Sequence, residues 1–300
     1  MFTPDQYQLI DFGDGRRIER FGSLRLDRPA PAVEFVPPEN RQAWSEADAR
    51  FDRTDGRTDA QADEQADNAP GQWSSRCELP ERWTIAHGPI VFELKRTSVG
   101  HLGVFPEQAV NWDWIAQRVH AASQPPKILN LFAYTGGSTL AAAAAGAEVV
   151  HVDAARNTIA WARRNAELSG MAGLPIHWIA EDALKFAQRE LKRGNVYDAA
   201  ILDPPSYGHG PRGETWQLSK HLPQLLDLCG QLTAGRRQFM LLTCHTPGYD
   251  PARLRSLMTD AMGQTDRGTV EAGSLAIRAM TGRQMASGMF VRWQRGDERP

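Results

Sequence analysis

Asp153, Asp182 and Asp203 each close a short apolar run, and an earlier run ends in Tyr134-Thr135-Gly136-Gly137. Paired glycines let a ligand approach the backbone, and a helix beginning there would turn its amide end toward a carboxylate. The stretch Asn130-Leu131-Phe132-Ala133-Tyr134-Thr135-Gly136-Gly137 is neither Gly-x-Gly-x-x-Gly nor a Gly-Lys-Ser/Thr loop, so it is a poor phosphate cradle. Asp153 follows that turn by about twenty residues, the interval at which a carboxylate takes both hydroxyls of a ribose. Glu181-Asp182 is placed to accept from an exocyclic amine. Asp203-Pro204-Pro205-Ser206 makes a stiff turn, because two prolines forbid helix, and its carbonyls should face a cleft. Each feature alone has a plainer role: an aspartate at a strand end caps a helix, and a glycine pair only turns the chain. In succession, receptors for ribose, amine and carboxylate without one for phosphate describe S-adenosylmethionine better than NAD.

These residues need strands to hold them. From Lys127 onward KILNLF (127–132), EVVHVD (148–153), IHWIAED (176–182), YDAAILDPPS (197–206) and RRQFMLLTCH (236–245) read as buried strands. Helical patterns alternate with them: STLAAAAAG stopped by Gly146, NTIAWARRNAELSG, ALKFAQRELKRG, SKHLPQLLDLCGQL with an early proline, and PARLRSLMTDAMG with proline in its first turn. TVEAGSLAIRA and MFVRWQ follow as two strands with no helix between them, an antiparallel hairpin at the sheet edge. The expected fold class is α/β, a doubly wound and mostly parallel seven-stranded sheet. Such sheets bind ligands beyond the carboxyl ends of their strands, where the aspartates lie.

Upstream, QYQLIDFGDGRRIERFGSLRL reads as short strands around a Gly-Asp-Gly turn. WTIAHGPIVFELKRTSVGHLGVF reads as further strands, broken by Gly88-Pro89 and Gly100. Between them, residues 46–67 hold eight acidic side chains against three arginines, with no apolar periodicity. The expected organisation is an N-terminal β segment (1–45), an acidic flexible linker or loop (46–72), a β-rich lead-in (73–110) and the main domain (111–300). The 300 residues carry 34 Lys plus Arg and 36 Asp plus Glu, a net charge of −2, which excludes a uniformly basic nucleic-acid coat but not a local patch. No apolar run nears the ~18 residues of a membrane span, and the N-terminus lacks a basic patch followed by an apolar stretch. A cytoplasmic protein is expected. Cys77, Cys229 and Cys244 are odd in number and far apart, and the eight histidines show no ligand spacing, so neither a disulfide framework nor a metal site is expected.

NLFAYTGGSTLAAAAAGAEVVHVDAARNTIAWARRNAELSG, AEDALKF and LDPPSYGHGPRGE resemble the class I S-adenosylmethionine-dependent methyltransferases of the large-subunit rRNA cytosine-C5 methyltransferase I family. GHLGVFPEQ resembles that family's Gly-Phe-Tyr-x-Asp-Gln segment, and the likeness runs from about Trp83 to Trp293. It implies a Rossmann-like domain, S-adenosylmethionine as cofactor, and RNA, in particular rRNA, as partner. Residue by residue it implies that Ala133, Tyr134, Thr135 and Gly136 line the methionine moiety. Asp153 would take the ribose and Asp182 the adenine amine, with Phe105, Ala154 and Ala183 also at the cofactor. Asp203 would lie beside the transferring methyl group. Two departures stand out. Residues 1–70 match no RNA-binding domain of the pseudouridine-synthase and archaeosine-transglycosylase type, and Thr243-Cys244-His245 stands where the family has Ser-Cys-Ser.

Cytosine C5 attacks a sulfonium methyl only after a thiolate adds at C6, which makes Cys244 the candidate nucleophile, with His245 to lower its pKa. The plainer role for Cys244 is core, since it follows Phe239-Met240-Leu241-Leu242; Cys229, among leucines, reads as core. Two alternatives remain: N-methylation of an exocyclic base amine at the Asp203-Pro204-Pro205 turn, and an inactive cofactor-binding protein associated with RNA. RNA contact would use Arg16-Arg17-Arg20, Lys95-Arg96 and Arg236-Arg237, and Trp112 and Trp114 are placed to stack on bases or to pack a helix on the sheet.

Overall fold

The computed structural model describes residues 1–54, 70–210, 213–263 and 268–296. The chain divides into two compact units: Met1–Ala109 with Ala276–Ser287, and Val110–Leu275 with Gly288–Pro300.

The first unit holds a five-stranded sheet in the order β1 (Tyr7–Gly13), β2 (Arg16–Phe21), β3 (Leu24–Pro29), β4 (Ala49–Arg53) and β5 (Gly71–Ser75), with a one-turn helix, α1 (Arg41–Trp44), before β4. β1, β2 and β3 form an antiparallel meander, β4 joins β3 in parallel, and β5 returns antiparallel. A separate hairpin pairs β6 (Trp83–His87) with β7 (Ile90–Leu94). β4 falls inside 46–72, the expected flexible linker or loop, and β5 begins at its end. Ala49 and Phe51 are buried while Arg50 and Asp52 are exposed, an alternation that the dense charge conceals. The rest of the acidic stretch, 55–69, lies outside the described residues.

This sheet buries charge as well as apolar surface. Glu19 accepts from the Tyr7 hydroxyl at 2.9 Å and from Arg28 Nε at 2.9 Å, and Arg17 Nε lies 3.2 Å away. Burial alone would push the Glu19 pKa up, but Arg17 and Arg28 outweigh it and leave the carboxyl below its ordinary value. Asp11, also fully buried, accepts from Arg283 Nη2 at 2.7 Å and from the Asn40 amide at 2.7 Å. The same Arg283 donates to the carbonyls of Phe12 and Pro37.

The second unit follows the expected alternation. After α2 (Ala109–His120) come β8 (Lys127–Leu131), α3 (Gly137–Ala144), β9 (Glu148–Asp153), α4 (Arg156–Leu168), β10 (Ile176–Ala180) and α5 (Ala183–Lys192). Then follow β11 (Ala199–Leu202), a small ribbon of β12 (Tyr207–His209) and β13 (Thr215–Gln217), α6 (Leu218–Leu232), β14 (Phe239–Cys244) and α7 (Pro251–Met262). β15 (Gly268–Arg278) and β16 (Gln284–Arg295) complete the sheet, and their hairpin end, 276–287, groups with the first unit. The sheet order is β10-β9-β8-β11-β14-β16-β15, parallel from β10 to β14 and antiparallel between β14 and β16. The chain starts in the middle, builds outward to β10, then returns to β11 on the other side of β8. Ligand sites of open sheets lie at that reversal.

Alternation along the strands sorts side chains into two layers. Leu129, Leu131, Ala200, Leu202, Met240, Leu242 and Cys244 join one core with residues of α5, α6 and α7. Ile128, Val149, Ala199, Ile201, Phe239 and Leu241 join another with Ile115 and Val119 of α2 and Ala142 and Ala143 of α3. Both faces are covered, which is why these strands read as nearly continuous apolar runs.

Candidate active site

The turn after β8 is wound against the preferences of its own residues. Phe132 (φ 55°), Tyr134 (φ 50°) and Gly136 (φ 92°) are all left-handed, a conformation that costs a non-glycine residue about 1–3 kcal/mol. Surrounding contacts impose it. Ala133 N donates to Val152 O at 3.1 Å, Tyr134 N to Asp153 Oδ2 at 2.9 Å, and Asn165 Nδ2 to Thr135 O at 2.9 Å. The glycines are needed for space as well: a Cβ on Gly137 would stand 2.6 Å from the Trp112 ring, and one on Gly136 3.3 Å from Ala162 Cβ. Trp112 therefore packs the start of α3, and Trp114 meets Phe239 edge-on, with ring centroids 5.3 Å apart.

Beneath the turn runs a buried polar chain. Asn130 Nδ2 donates to Thr139 Oγ1 at 2.8 Å, and that hydroxyl meets His151 Nδ1 at 2.9 Å. Burial, with Arg163 adding to it, lowers the His151 pKa to about 3, so the ring is neutral.

Asp153 ends β9 with both oxygens engaged, Oδ2 by the Tyr134 amide and Oδ1 by the Ala155 amide at 2.9 Å. Burial raises its pKa, and the two amides offset part of that rise. A carboxylate holding one amide on each oxygen keeps a second lone pair on each, enough for two vicinal hydroxyls. Ala154 follows it. Asp182 caps α5, its Oδ1 accepting from Lys185 N at 2.9 Å, and Ala183 opens that helix as a buried residue. Glu181 is held by Arg189, with Nη1 to Oε1 at 2.6 Å.

Asp203 lies one residue beyond β11, with Thr243 Oγ1 hydrogen-bonded to its Oδ1 and His245 Nε2 3.6 Å from the same oxygen. The Asp203-Pro204-Pro205-Ser206 turn is clamped from three sides. Trp216 Nε1 donates to Pro205 O at 2.7 Å, Leu218 N to Ser206 O at 2.9 Å, and the Ser206 and Thr246 hydroxyls lie 2.6 Å apart. The Pro205 carbonyl thus serves the clamp; it was expected to face the cleft. The Trp216 indole also meets Phe132, ring centroids 4.8 Å apart, joining this turn to the one after β8.

Cys244 is 1% exposed and belongs to the core against α5, α6 and α7. Burial pushes its thiol pKa up, hydrogen bonds from the Thr246 amide and hydroxyl offset part of that rise, and the Asp203 charge adds to it. His245, expected to activate that thiol, turns to Asp203 instead. Cys229 is core, its pKa pushed up to about 12 by burial. Phe105 belongs to the first unit, where it precedes a short turn at Pro106–Gln108 and meets the His101 ring, centroids 5.4 Å apart.

Most of the arginine pairs are taken up internally. Arg16 binds Asp27 at 2.7 Å, Arg17 faces the buried Glu19, and Arg236 Nε donates to Asp198 at 2.9 Å. Arg237, 2% exposed, donates to Thr233 Oγ1 and Gly230 O at the end of α6 and stacks on Trp293. Among the described residues, no cluster of three His, Cys, Asp or Glu could hold a metal ion, and no helix is long and apolar enough to cross a membrane.

A mostly parallel sheet whose strand order reverses beside β8, with a glycine turn, the Asp153 carboxylate and an Asp-Pro-Pro turn at its strand ends, is a Rossmann-like methyltransferase architecture. The chain belongs to the S-adenosylmethionine-dependent methyltransferase family, which matches residues 41–244. It is 38% identical to the S-adenosylmethionine-dependent methyltransferase of Agrobacterium tumefaciens known from a crystal structure, over 97% of this chain and 91% of that one, with a TM-score of 0.88. It is also 32% identical over 142 residues to ribosomal RNA large subunit methyltransferase I of Aeromonas salmonicida, 43% of this chain and 35% of that protein. Over 137 residues it is 33% identical to ribosomal RNA large subunit methyltransferase K/L of Pseudoalteromonas atlantica, 45% of this chain and 18% of that protein. The match thus spans about a third or less of these curated relatives.

Proposed function

We propose that this chain transfers a methyl group from S-adenosylmethionine to a nucleobase of RNA, rRNA foremost, in the cytoplasm. The acceptor is a base nitrogen presented to the Asp203-Pro204-Pro205 turn. One observation carries the choice of nitrogen: the Asp203 carboxylate is partly exposed at the sheet's reversal point, while the thiol of Cys244 is turned into the core. Two of the relatives are rRNA methyltransferases by name, which supports RNA as the substrate class.

The cofactor supplies a methyl group activated by its sulfonium charge. Ala133, Tyr134, Thr135 and Gly136 line its methionine part, with Ala154 and Ala183 beside the nucleoside. Asp153 takes the two ribose hydroxyls, and the second oxygen of Asp182 takes the adenine amine. Asp203 accepts a hydrogen of the target amine and so aims its lone pair, and the rigid proline turn holds that carboxylate in place.

Mass spectrometry of RNA nucleosides from cells with and without this protein tests the proposal, alongside calorimetry of cofactor binding. One base-nitrogen-methylated nucleoside should disappear with the gene. If 5-methylcytidine disappears instead, and Cys244→Ser binds cofactor but cannot restore it, the nitrogen assignment falls and the thiolate route takes its place.

A further inference from the structure

His245 stands at the mouth of the site with its ring held from two sides. Nε2 lies 3.6 Å from Asp203 Oδ1, an ion-pair separation, and the two side chains are 34% and 31% exposed. On the other edge Gly288 of β16 makes room for it: a Cβ there would stand 2.7 Å from Nδ1. The Ser206–Thr246 hydroxyl contact ties the segment carrying His245 to the proline turn.

We infer that His245 is a positioning residue that acts through Asp203, the two together withdrawing the proton that methylation leaves on the acceptor nitrogen. The inference rests on the base-nitrogen acceptor proposed above. When the nitrogen lone pair becomes the new N–C bond, the electron pair of the broken C–S bond stays on sulfur, and the nitrogen carries one proton too many. A carboxylic acid, ordinarily titrating near ~4, cannot keep that proton at neutral pH; an imidazole, titrating near ~6.5, holds it far better. The proton passes to the Asp203 carboxylate and on to His245 Nε2, so the pair ends as carboxylate and imidazolium and discharges to solvent through the exposed ring. Apo contacts of this kind are commonly long and tighten when substrate binds.

The Cys244 thiol is buried and hydrogen-bonded by Thr246, and the charges of Asp203 and of Arg253 in α7 act on it, while the Arg253 guanidinium covers the Tyr249 ring at 4.0 Å and donates to Gly248 O. Asp203, 3.6 Å from Nε2, is the carboxylate placed to favour the charged form of the His245 ring.

Two measurements test this. In the full-length protein, kcat for RNA methylation should rise with pH as the imidazolium loses its proton. In His245→Gln, which retains a hydrogen-bond donor but cannot titrate, kcat should fall about 10²-fold and this pH dependence should vanish, with the cofactor Kd within about twofold. An unchanged pH profile in His245→Gln overturns the inference. Independently of turnover, NMR titration of the His245 ring should show its midpoint fall by about one unit in Asp203→Asn, because the carboxylate no longer favours the charged ring; an unmoved midpoint overturns it as well. If the ring responds to Asp203→Asn but the wild-type protein methylates no base nitrogen, the proposed function has failed and the proton-withdrawing role falls with it, although the pair itself is real.

Discussion

Thr243 Oγ1 hydrogen-bonds Asp203 Oδ1 across the β11–β14 ladder, one register step beyond the Leu202–Leu242 pair. Thr243 shares its face with Phe239 and Leu241, so the alternation that brings it to Asp203 sends Cys244 to the opposite side. Thr243→Val keeps the shape and removes the donor. A hydrogen bond to a charged group contributes about 1.5–3 kcal/mol, so turnover with labelled cofactor at saturating RNA should drop at least about tenfold, with cofactor affinity held. Full activity in this variant would mean that Asp203 does not depend on its neighbour.

Asp153→Asn should weaken cofactor binding about tenfold or more in a calorimetric titration, since a neutral amide cannot accept from both backbone amides and both ribose hydroxyls. Burial raises the wild-type pKa, so binding should also begin to weaken, as pH falls, before an ordinary aspartate would gain its proton. An unchanged Kd in the variant would remove the ribose from Asp153.

The stability of the second unit should fall on acidification because of His151. The folded ring resists protonation until about pH 3, whereas in the unfolded chain it takes a proton near ~6.5. Its contribution is complete above that value and is lost at up to about 1.4 kcal/mol per pH unit below it. Between pH 6.5 and pH 5 this amounts to about 2 kcal/mol. Urea unfolding at several pH values should show the slope, and His151→Gln should flatten it. Equal slopes in both proteins would place the acid sensitivity elsewhere.

Arg237→Ala should cost about 2–4 kcal/mol, because it removes the guanidinium that donates to Gly230 O and Thr233 Oγ1 and empties the space over Trp293. Arg236→Ala removes a half-exposed pair with Asp198 and should cost under about 1 kcal/mol. Neither should change the salt dependence of RNA binding. If either variant reduces the slope of log affinity against log salt by about one, that arginine contacts phosphate after all.

The strands of the second unit and the aspartates at their ends were legible because buried parallel strands announce themselves as apolar runs and their ends as the first polar residue. The two faces of β14 were legible as well, since Phe239, Leu241 and Thr243 alternate with Met240, Leu242 and Cys244. Partners distant in sequence were not legible. Nothing near Trp216 says that its indole reaches Pro205 O and Phe132, and nothing near Arg16, Arg17 or Arg237 says that each is taken up by an internal acceptor. β4 was hidden by charge, because Arg50, Asp52 and Arg53 occupy outward or half-buried positions of a strand whose inward ones are only Ala49 and Phe51. The β12–β13 ribbon is three residues a side and leaves no periodicity to read.

Because residues 276–287 group with the N-terminal unit, no single cut in the gene separates the two halves of the protein. A fragment ending at codon 109 would lack Arg283, leaving the buried Asp11 carboxylate with the Asn40 amide and the Trp44 indole but without its guanidinium. Splicing the missing hairpin back through a short peptide bridge is the route to an independently expressed N-terminal piece.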